Sequence, residues 1–275
     1  MQHKIQIELD KLSNNFNNLS KSEINKIIED FLLLLESGEI RSAEKDLSSG
    51  DWKVNNWVKE GILLLFKLGK LEKISGFGFD FFDKSTIPLR QLNLENNIRL
   101  VPGGSSIRRG AYIAKGVICM PPMYINIGAY IDEDTMIDSH ALVGTCAQIG
   151  KRVHISAATQ IGGVLEPIGA SPVIIEDDVM VGGNCGIYEG VTVKKNAILG
   201  SGLILNSSTK VYDIINETIL PFPVVIPENA VVVQGARAIN TPFASENKLS
   251  ISTPIIIKYR DKKSNAKTEL ESILR

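Results

Sequence analysis

Cysteine and histidine are scarce in this chain. Its three cysteines (Cys119, Cys146, Cys185) form no CxxC pair, so a disulfide framework and a zinc knuckle are not expected, and a reducing compartment fits. The histidines are His3, His140 and His154, and His140 and His154 stand 14 residues apart with no third nearby. A catalytic zinc site needs about three such ligands and an open position, so no metal is expected. Neither sign of charge dominates: Lys plus Arg is 30 and Asp plus Glu is 31, giving −1. A nucleic-acid partner would call for a basic excess. Long apolar runs are absent too. Phe31 to Leu35 and Ile62 to Phe66 fall far short of the ~20 residues that cross a bilayer, and MQHKIQIELDK lacks the apolar core of a signal peptide. A cytoplasmic protein with no membrane contact is expected. Aromatic residues are few and unevenly placed. Only four of 17 lie between 103 and 202, the stretch that holds 16 of the 23 glycines. That skew implies two kinds of architecture in 275 residues.

The first hundred residues read as helical. Ile5, Leu9, Leu12 and Phe16 have helical spacing. Ile24, Ile27, Ile28, Phe31, Leu32 and Leu35 repeat the same pattern behind an expected Ser22 N-cap, with Gly38 as the stop. A third helix is expected over 54–68, ended by Gly69. Residues 40–45 read as extended. Phe77, Phe79, Phe81 and Phe82 read as a strand or loop packed on the helices.

The middle of the chain repeats every six residues. Val101, Ile107, Ile113, Cys119, Ile125, Ile131, Ile137, Val143, Ile149, Ile155 and Ile161 form one run, and Ile175, Val181, Ile187, Val193, Leu199, Leu205 and Val211 a second. Period six matches no helix. It suits a triangular parallel β-coil in which each unit is one short strand and a turn. The branched aliphatic points inward. Small residues two places earlier and small or turn-forming residues one place later fit the narrow corners. Three units make an 18-residue coil, so 18 positions give about six coils, stacked ~4.8 Å apart into a prism roughly 30 Å long. The 14-residue step from 161 to 175 reads as two more than twelve, with GGVLEPIGASP (162–172) as an inserted loop. Beyond 211 the repeat fades. Ile251 to Tyr259 reads as a strand and 267–275 as a short terminal helix, which together would cover the open end of the prism. The expected organisation is an N-terminal helical domain (1–98), a parallel β-helix (99–230) with loop 162–172, and a C-terminal β/α cap (231–275).

Such a prism serves acyl transfer, metal-dependent hydration or purely structural roles, so its chemistry must be sought in side chains. No threonine column suggests an ice-binding face. Acyl transfer to an amine needs a proton acceptor and donors for the carbonyl oxygen. His140, Asp138 and Glu189 are the candidates for the first task. The bland alternatives are a solvated turn histidine, a turn aspartate bonding its own backbone, and a surface carboxylate.

Several segments carry a more specific resemblance. SGEIRSAEK (37–45), RLVPGGSSIRRGAYIA (99–114), MPPMYINIGAYIDEDTMIDSHALVGTCAQIGKRVHIS (120–156), IGGVLEPIGASPVIIEDDVMVGG (161–183), IYEGV (187–191) and STKVYD (208–213) make the chain similar, over essentially its whole length, to the bacterial tetrahydrodipicolinate N-succinyltransferases. The resemblance implies a left-handed parallel β-helix, against the general right-handed preference for crossovers. It implies succinyl transfer from succinyl-CoA to the amine of L-2-amino-6-oxopimelate, in diaminopimelate and lysine biosynthesis. Arg99 matches the family's substrate-binding arginine, Asp138 its substrate-contacting aspartate and leading base candidate, and Glu189 a second catalytic carboxylate. A guanidinium fork suits a dicarboxylate acceptor. Lys210 is a candidate partner for a CoA phosphate. Succinyl-CoA is implied as co-substrate with no tightly bound cofactor, in a homotrimer with each site between two prisms and loop 162–172 over it. Two departures, His140 after the MIDS segment and the PGGSSIRR wording, remove no proposed catalytic residue. The rival readings are an acetyl-CoA-dependent enzyme on the same acceptor and a non-catalytic β-helix scaffold.

Overall fold

The computed structural model describes residues 3–46, 48–76 and 79–260. Helix α1 (Lys4–Asn15) buries Ile5, Leu9 and Leu12, while Phe16 lies just past its end and is exposed. Helix α2 (Lys21–Glu36) begins at Ser20, not at the expected Ser22. The Ser20 hydroxyl accepts from the Glu23 N–H, and the Glu23 carboxylate accepts from the Ser20 N–H. That reciprocal pair satisfies two end donors at once, which Ser22 cannot do from inside the first turn. Strands β1 (Ala43–Lys45) and β2 (Trp52–Val54) pair antiparallel, so Val54 belongs to a strand and helix α3 (Asn56–Leu68) starts two residues later than the spacing suggested. Strands β3 (Leu71–Gly76) and β4 (Phe79–Lys84) form a second hairpin. Phe81 and Phe82 are largely exposed on it and belong to neither buried core. Phe77 and the expected helix at 267–275 lie outside the described residues.

From Arg99 the chain winds into the left-handed prism. Strands three units apart pair in parallel register, so Tyr112, Tyr130 and Gln148 stack at 18-residue steps. Three flat faces result. The first carries Arg99–Leu100, Ile118–Cys119, Met136–Ile137, His154–Ile155, Met180–Val181 and Ile198–Leu199. The second runs from Ser106–Ile107 to Ile204–Leu205, and the third from Tyr112–Ile113 to Val225–Ile226. The inward aliphatics from Ile107 to Leu205 are at most 5% exposed and fill the axis.

The corners obey a different rule from the one expected. Left-handed backbone falls three places after the repeat residue, at Asp134, His140, Cys146, Arg152, Ala158, Asp178, Asn184 and Asn196. One place after it the need is for space. A Cβ on Gly144 would sit 2.2 Å from the Gly163 nitrogen of the next coil. Two buried threonines in the small-residue column are satisfied across coils: Thr135 and Thr159 donate to the Gly150 and Gly182 carbonyls at 2.8 and 3.0 Å.

Three details of the repeat also shift. Leu100, not Val101, registers with Cys119, so the first coil carries one extra residue. Gln148 pairs with Ile174, 26 residues on instead of 18, so the loop inserts eight residues rather than two. Val211 is no rung, because after Leu205 the chain makes a detour (Tyr212–Asp213, Thr218–Ile219) and rejoins the third face at Val225–Ile226. The last first-face rung is the start of strand Ala230–Ala238, which pairs with Ile198–Leu199 and then turns back through helix α4 (Pro242–Glu246) into Ser250–Tyr259.

The N-terminal segment lies along the third face. Arg41 places its guanidinium 3.5 Å from the Tyr130 ring centroid and donates to Gln148 Oε1 at 2.8 Å. Lys45 and Trp52 both reach Glu176 Oε1, at 2.7 and 3.0 Å. The helical core also takes in Ile127 and Cys146 from the edge between the second and third faces. Burial pushes the Cys146 thiol up to about 12, consistent with a packing role.

Candidate active site

Asp138 follows the rung Met136–Ile137, at the edge between the first and second faces. Its Oδ1 accepts from the Ser139 N–H at 2.7 Å. Asn126 and Asp132 make the same bond at their own corners, at 2.9 and 2.8 Å, so the turn is a property of the fold. What distinguishes Asp138 is its other oxygen. Oδ2 faces His154 Nε2 at 3.9 Å. The turn bond thus aims one oxygen along the first face.

Arg99 is exposed and starts that same face. It registers with Ile118, which registers with Met136, so Arg99 stands two rungs from the Asp138 coil, roughly 10 Å along the axis. It lines an open groove of about 570 Å³ with Gly116, Asp134 and Arg152. Arg152 is engaged bidentately by Asp178, at 2.7 and 2.8 Å.

Glu189 occupies a different edge. It follows Gly186–Ile187, between the second and third faces, in left-handed backbone (φ 52°), and is exposed. Its Oε2 accepts from the Ser207 hydroxyl at 2.9 Å and from the Ser207 N–H at 3.3 Å. The inserted loop leaves from this edge as well. Lys210 is exposed in the connection that follows Leu205, with its carbonyl held by the Thr253 hydroxyl at 2.7 Å. His140 is exposed in one of the left-handed corner positions, which accounts for its backbone.

A single chain therefore gathers the candidates into two groups. Arg99 and Asp138 share the first face, while Glu189, Lys210 and the loop share the edge on the far side of the second face. Two neighbours went unread in the sequence. His154 is 18 residues after Met136, and Ser207 is 18 after Glu189, so the coil period itself was the signal that would have found both. Among the described residues, no group of three or more His, Cys, Asp and Glu side chains is placed to hold a metal ion, and no helix is long and apolar enough to cross a membrane.

A three-faced hexapeptide prism with carboxylates at its corners and an inserted loop is the architecture of the hexapeptide-repeat acyltransferases. Residues 4–68 match the family model described as tetrahydrodipicolinate N-succinyltransferase N-terminal, and residues 172–207 match the hexapeptide repeat of succinyl-transferase. A 2,3,4,5-tetrahydropyridine-2,6-dicarboxylate N-succinyltransferase of Rhodopseudomonas palustris (strain BisA53) is 41% identical over 264 residues, covering 93% of this chain and 92% of that one. The protein of the same name from the Wolbachia of Brugia malayi is 40% identical over 280 residues, covering 99% and 98%. The chain belongs to the tetrahydrodipicolinate N-succinyltransferase family. A solved Campylobacter jejuni structure, assigned as a 2,3,4,5-tetrahydropyridine-2-carboxylate N-succinyltransferase, shares the fold with TM-score 0.50 at 18% identity, over 83% of this chain and 62% of that one.

Proposed function

We infer that this chain transfers succinyl from succinyl-CoA to the amine of L-2-amino-6-oxopimelate, the ring-opened form of tetrahydrodipicolinate, in diaminopimelate and lysine biosynthesis. The observation that carries the residue assignment is the sharing of one prism face by Arg99 and Asp138. Arg99 binds a carboxylate of the acceptor through its guanidinium fork. Bound there, a seven-carbon acceptor reaches along the face towards the Asp138 coil. The amine attacks the thioester carbonyl, its proton passes to a carboxylate, and the C–S bond breaks. The CoA thiolate then takes a proton and leaves as the thiol. Asp138 and Glu189 are the two groups for the proton. Backbone N–H groups at the coil corners stabilise the oxyanion. Lys210 pairs with a CoA phosphate.

The scarcity of cysteine fits a cytoplasmic enzyme. The division of these residues between two edges supports a homotrimer, with each site formed where the Arg99–Asp138 face of one prism meets the Glu189 edge of its neighbour. CoA lies in the groove between them, and loop 162–172 closes over it.

Thiol release measured with succinyl-CoA and with acetyl-CoA, each against the acceptor, tests this reading. A higher kcat/KM for acetyl-CoA would overturn the donor. Failure of either donor to release thiol would favour a non-catalytic scaffold.

A further inference from the structure

Lys59 is 0% exposed, although it lies on the helical segment and far in sequence from any proposed site residue. A buried ammonium is costly unless its three donors are satisfied. Here they are, and all by one segment. Lys59 Nζ donates to the carbonyls of Pro167, Ile168 and Ala170, at 3.3, 3.1 and 2.8 Å. These acceptors all belong to the inserted loop. Burial draws the ammonium's pKa below the ordinary lysine range, as expected where neutral carbonyls are its partners.

The loop in turn is wedged against the turn that carries Glu189. A Cβ on Gly190 would come 2.5 Å from the Ser171 carbonyl oxygen, and one on Gly162 would come 2.8 Å from the Tyr188 ring. Both roots of the loop thus press on Tyr188–Gly190, and its crest hangs from Lys59. The crest itself is exposed at Glu166, Pro167 and Gly169, and the space about the Gly169 Cα is open. Beside Lys59, the loop is held by Leu165 packed on the helical core, by Val164 and Ala170 on the prism core, and by the Val164 N–H donating to the Thr145 carbonyl at 3.2 Å.

We propose that Lys59 is a positioning residue for acyl transfer: its ammonium ties loop 162–172 to helix α3, so that the helical segment sets how the loop lies over the Glu189 edge. This rests on the reading that places Glu189 and the loop at the site. The N-terminal helices then have a role beyond packing, because they carry a polar tether for the crest of the loop.

The test uses the full-length protein with Lys59→Met, which keeps the stem and removes the three donors, and Lys59→Arg, which keeps donors. Amide hydrogen exchange is read at 163–171 and, as a control, at 153–155 in the prism. In Lys59→Met, loop exchange should quicken about ten-fold or more with the control unchanged, and kcat/KM for succinyl-CoA should fall roughly ten- to hundred-fold. Lys59→Arg should recover part of both. If Lys59→Met does not accumulate as folded protein, Lys59→Gln, with two donors on a shorter stem, is read in the same way. Unchanged loop exchange would overturn the tether, and faster loop exchange with unaltered kinetics would overturn its role in transfer. Absence of succinyl transfer by the unsubstituted protein would instead sink the functional reading, while the exchange data would still decide whether Lys59 holds the loop.

Discussion

Asp138 and Glu189 stand on different edges of one prism, two coils apart along its axis. One flat face lies between them. If both carboxylates serve one site, they come from different chains. Asp138→Asn and Glu189→Gln should each sharply reduce turnover while leaving the assembly intact. Unfolding the two variants together and refolding them as mixed trimers should then restore activity. Random mixing in a cyclic trimer gives about a quarter of the sites both native carboxylates, so about a quarter of the normal rate is expected. Thiol release from the mixture measures this. No recovery would mean that the two residues act within one chain, and high activity of either variant by itself would mean that its residue is dispensable.

Arg99 offers a test on the acceptor side. Replacing it with Ala removes a charged fork, at a cost of roughly 2 kcal/mol, or about thirty-fold in kcat/KM for the acceptor. Lysine should not rescue it, because a point charge lacks the bidentate geometry. The KM for succinyl-CoA should stay near its normal value. An equal change in both KM values would place Arg99 elsewhere than on the acceptor.

The contact between the helical segment and the third face should weaken in acid. Burial pushes the Glu176 carboxyl up, but the Lys45 ammonium, the Trp52 indole N–H and the Lys195 amide outweigh it, so its pKa lies below the ordinary 4.5. A carboxylate lowered on folding contributes stability that is fully present above its unfolded-state pKa and is lost as pH falls through the folded value. Melting temperature should therefore hold near neutrality and drop below about pH 4.5. Glu176→Gln should lower stability at neutral pH and flatten that acid slope. A slope identical to that of the unsubstituted protein would assign the acid loss to other carboxylates, such as Asp213, which is also lowered by its hydrogen bonds.

Two glycines separate strain from crowding. Gly190 and Gly202 both have left-handed backbone, at φ 72° and 78°. A Cβ on Gly202 meets nothing within 4 Å, whereas one on Gly190 meets the Ser171 carbonyl oxygen. Gly202→Ala should cost only the conformational penalty of about 1 kcal/mol, with kinetics unchanged. Gly190→Ala should lose more stability, and its kcat/KM should fall because the loop is displaced. Equal behaviour of the two variants, in melting temperature and turnover, would refute the link between loop and turn.

Much of the fold was legible because a six-residue period imposes itself on every unit. Inward Ile and Val must recur, and small residues must flank them wherever the next coil comes close. The same regularity hid its own interruptions. The count of residues from 161 to 175 fits either a skipped unit with two extra residues or one step with eight, and only the pairing of Gln148 with Ile174 distinguishes them. Val211 keeps the period as an inward residue, fully buried in the prism core, but the chain leaves the rung pattern just after it, at Tyr212–Asp213. At Ser20 against Ser22, both residues suit an N-cap. The choice fell to the one three places before Glu23, where both capping bonds close together.

The site divides in the same way. Sequence alone was enough to single out Arg99, Asp138 and Glu189 as candidates, because they lie in motifs that can be read locally. It could not show that they fall into two groups, since that depends on which corner of a three-sided coil each one occupies. Nor could it show that His154 lies beside Asp138, or that a lysine in an amphipathic helix holds a loop more than a hundred residues away. Periodicity is a local property, written in short-range spacing. Neighbourhood across coils is set by the winding, and the seat of the helices against the prism is set by packing between segments distant in the chain.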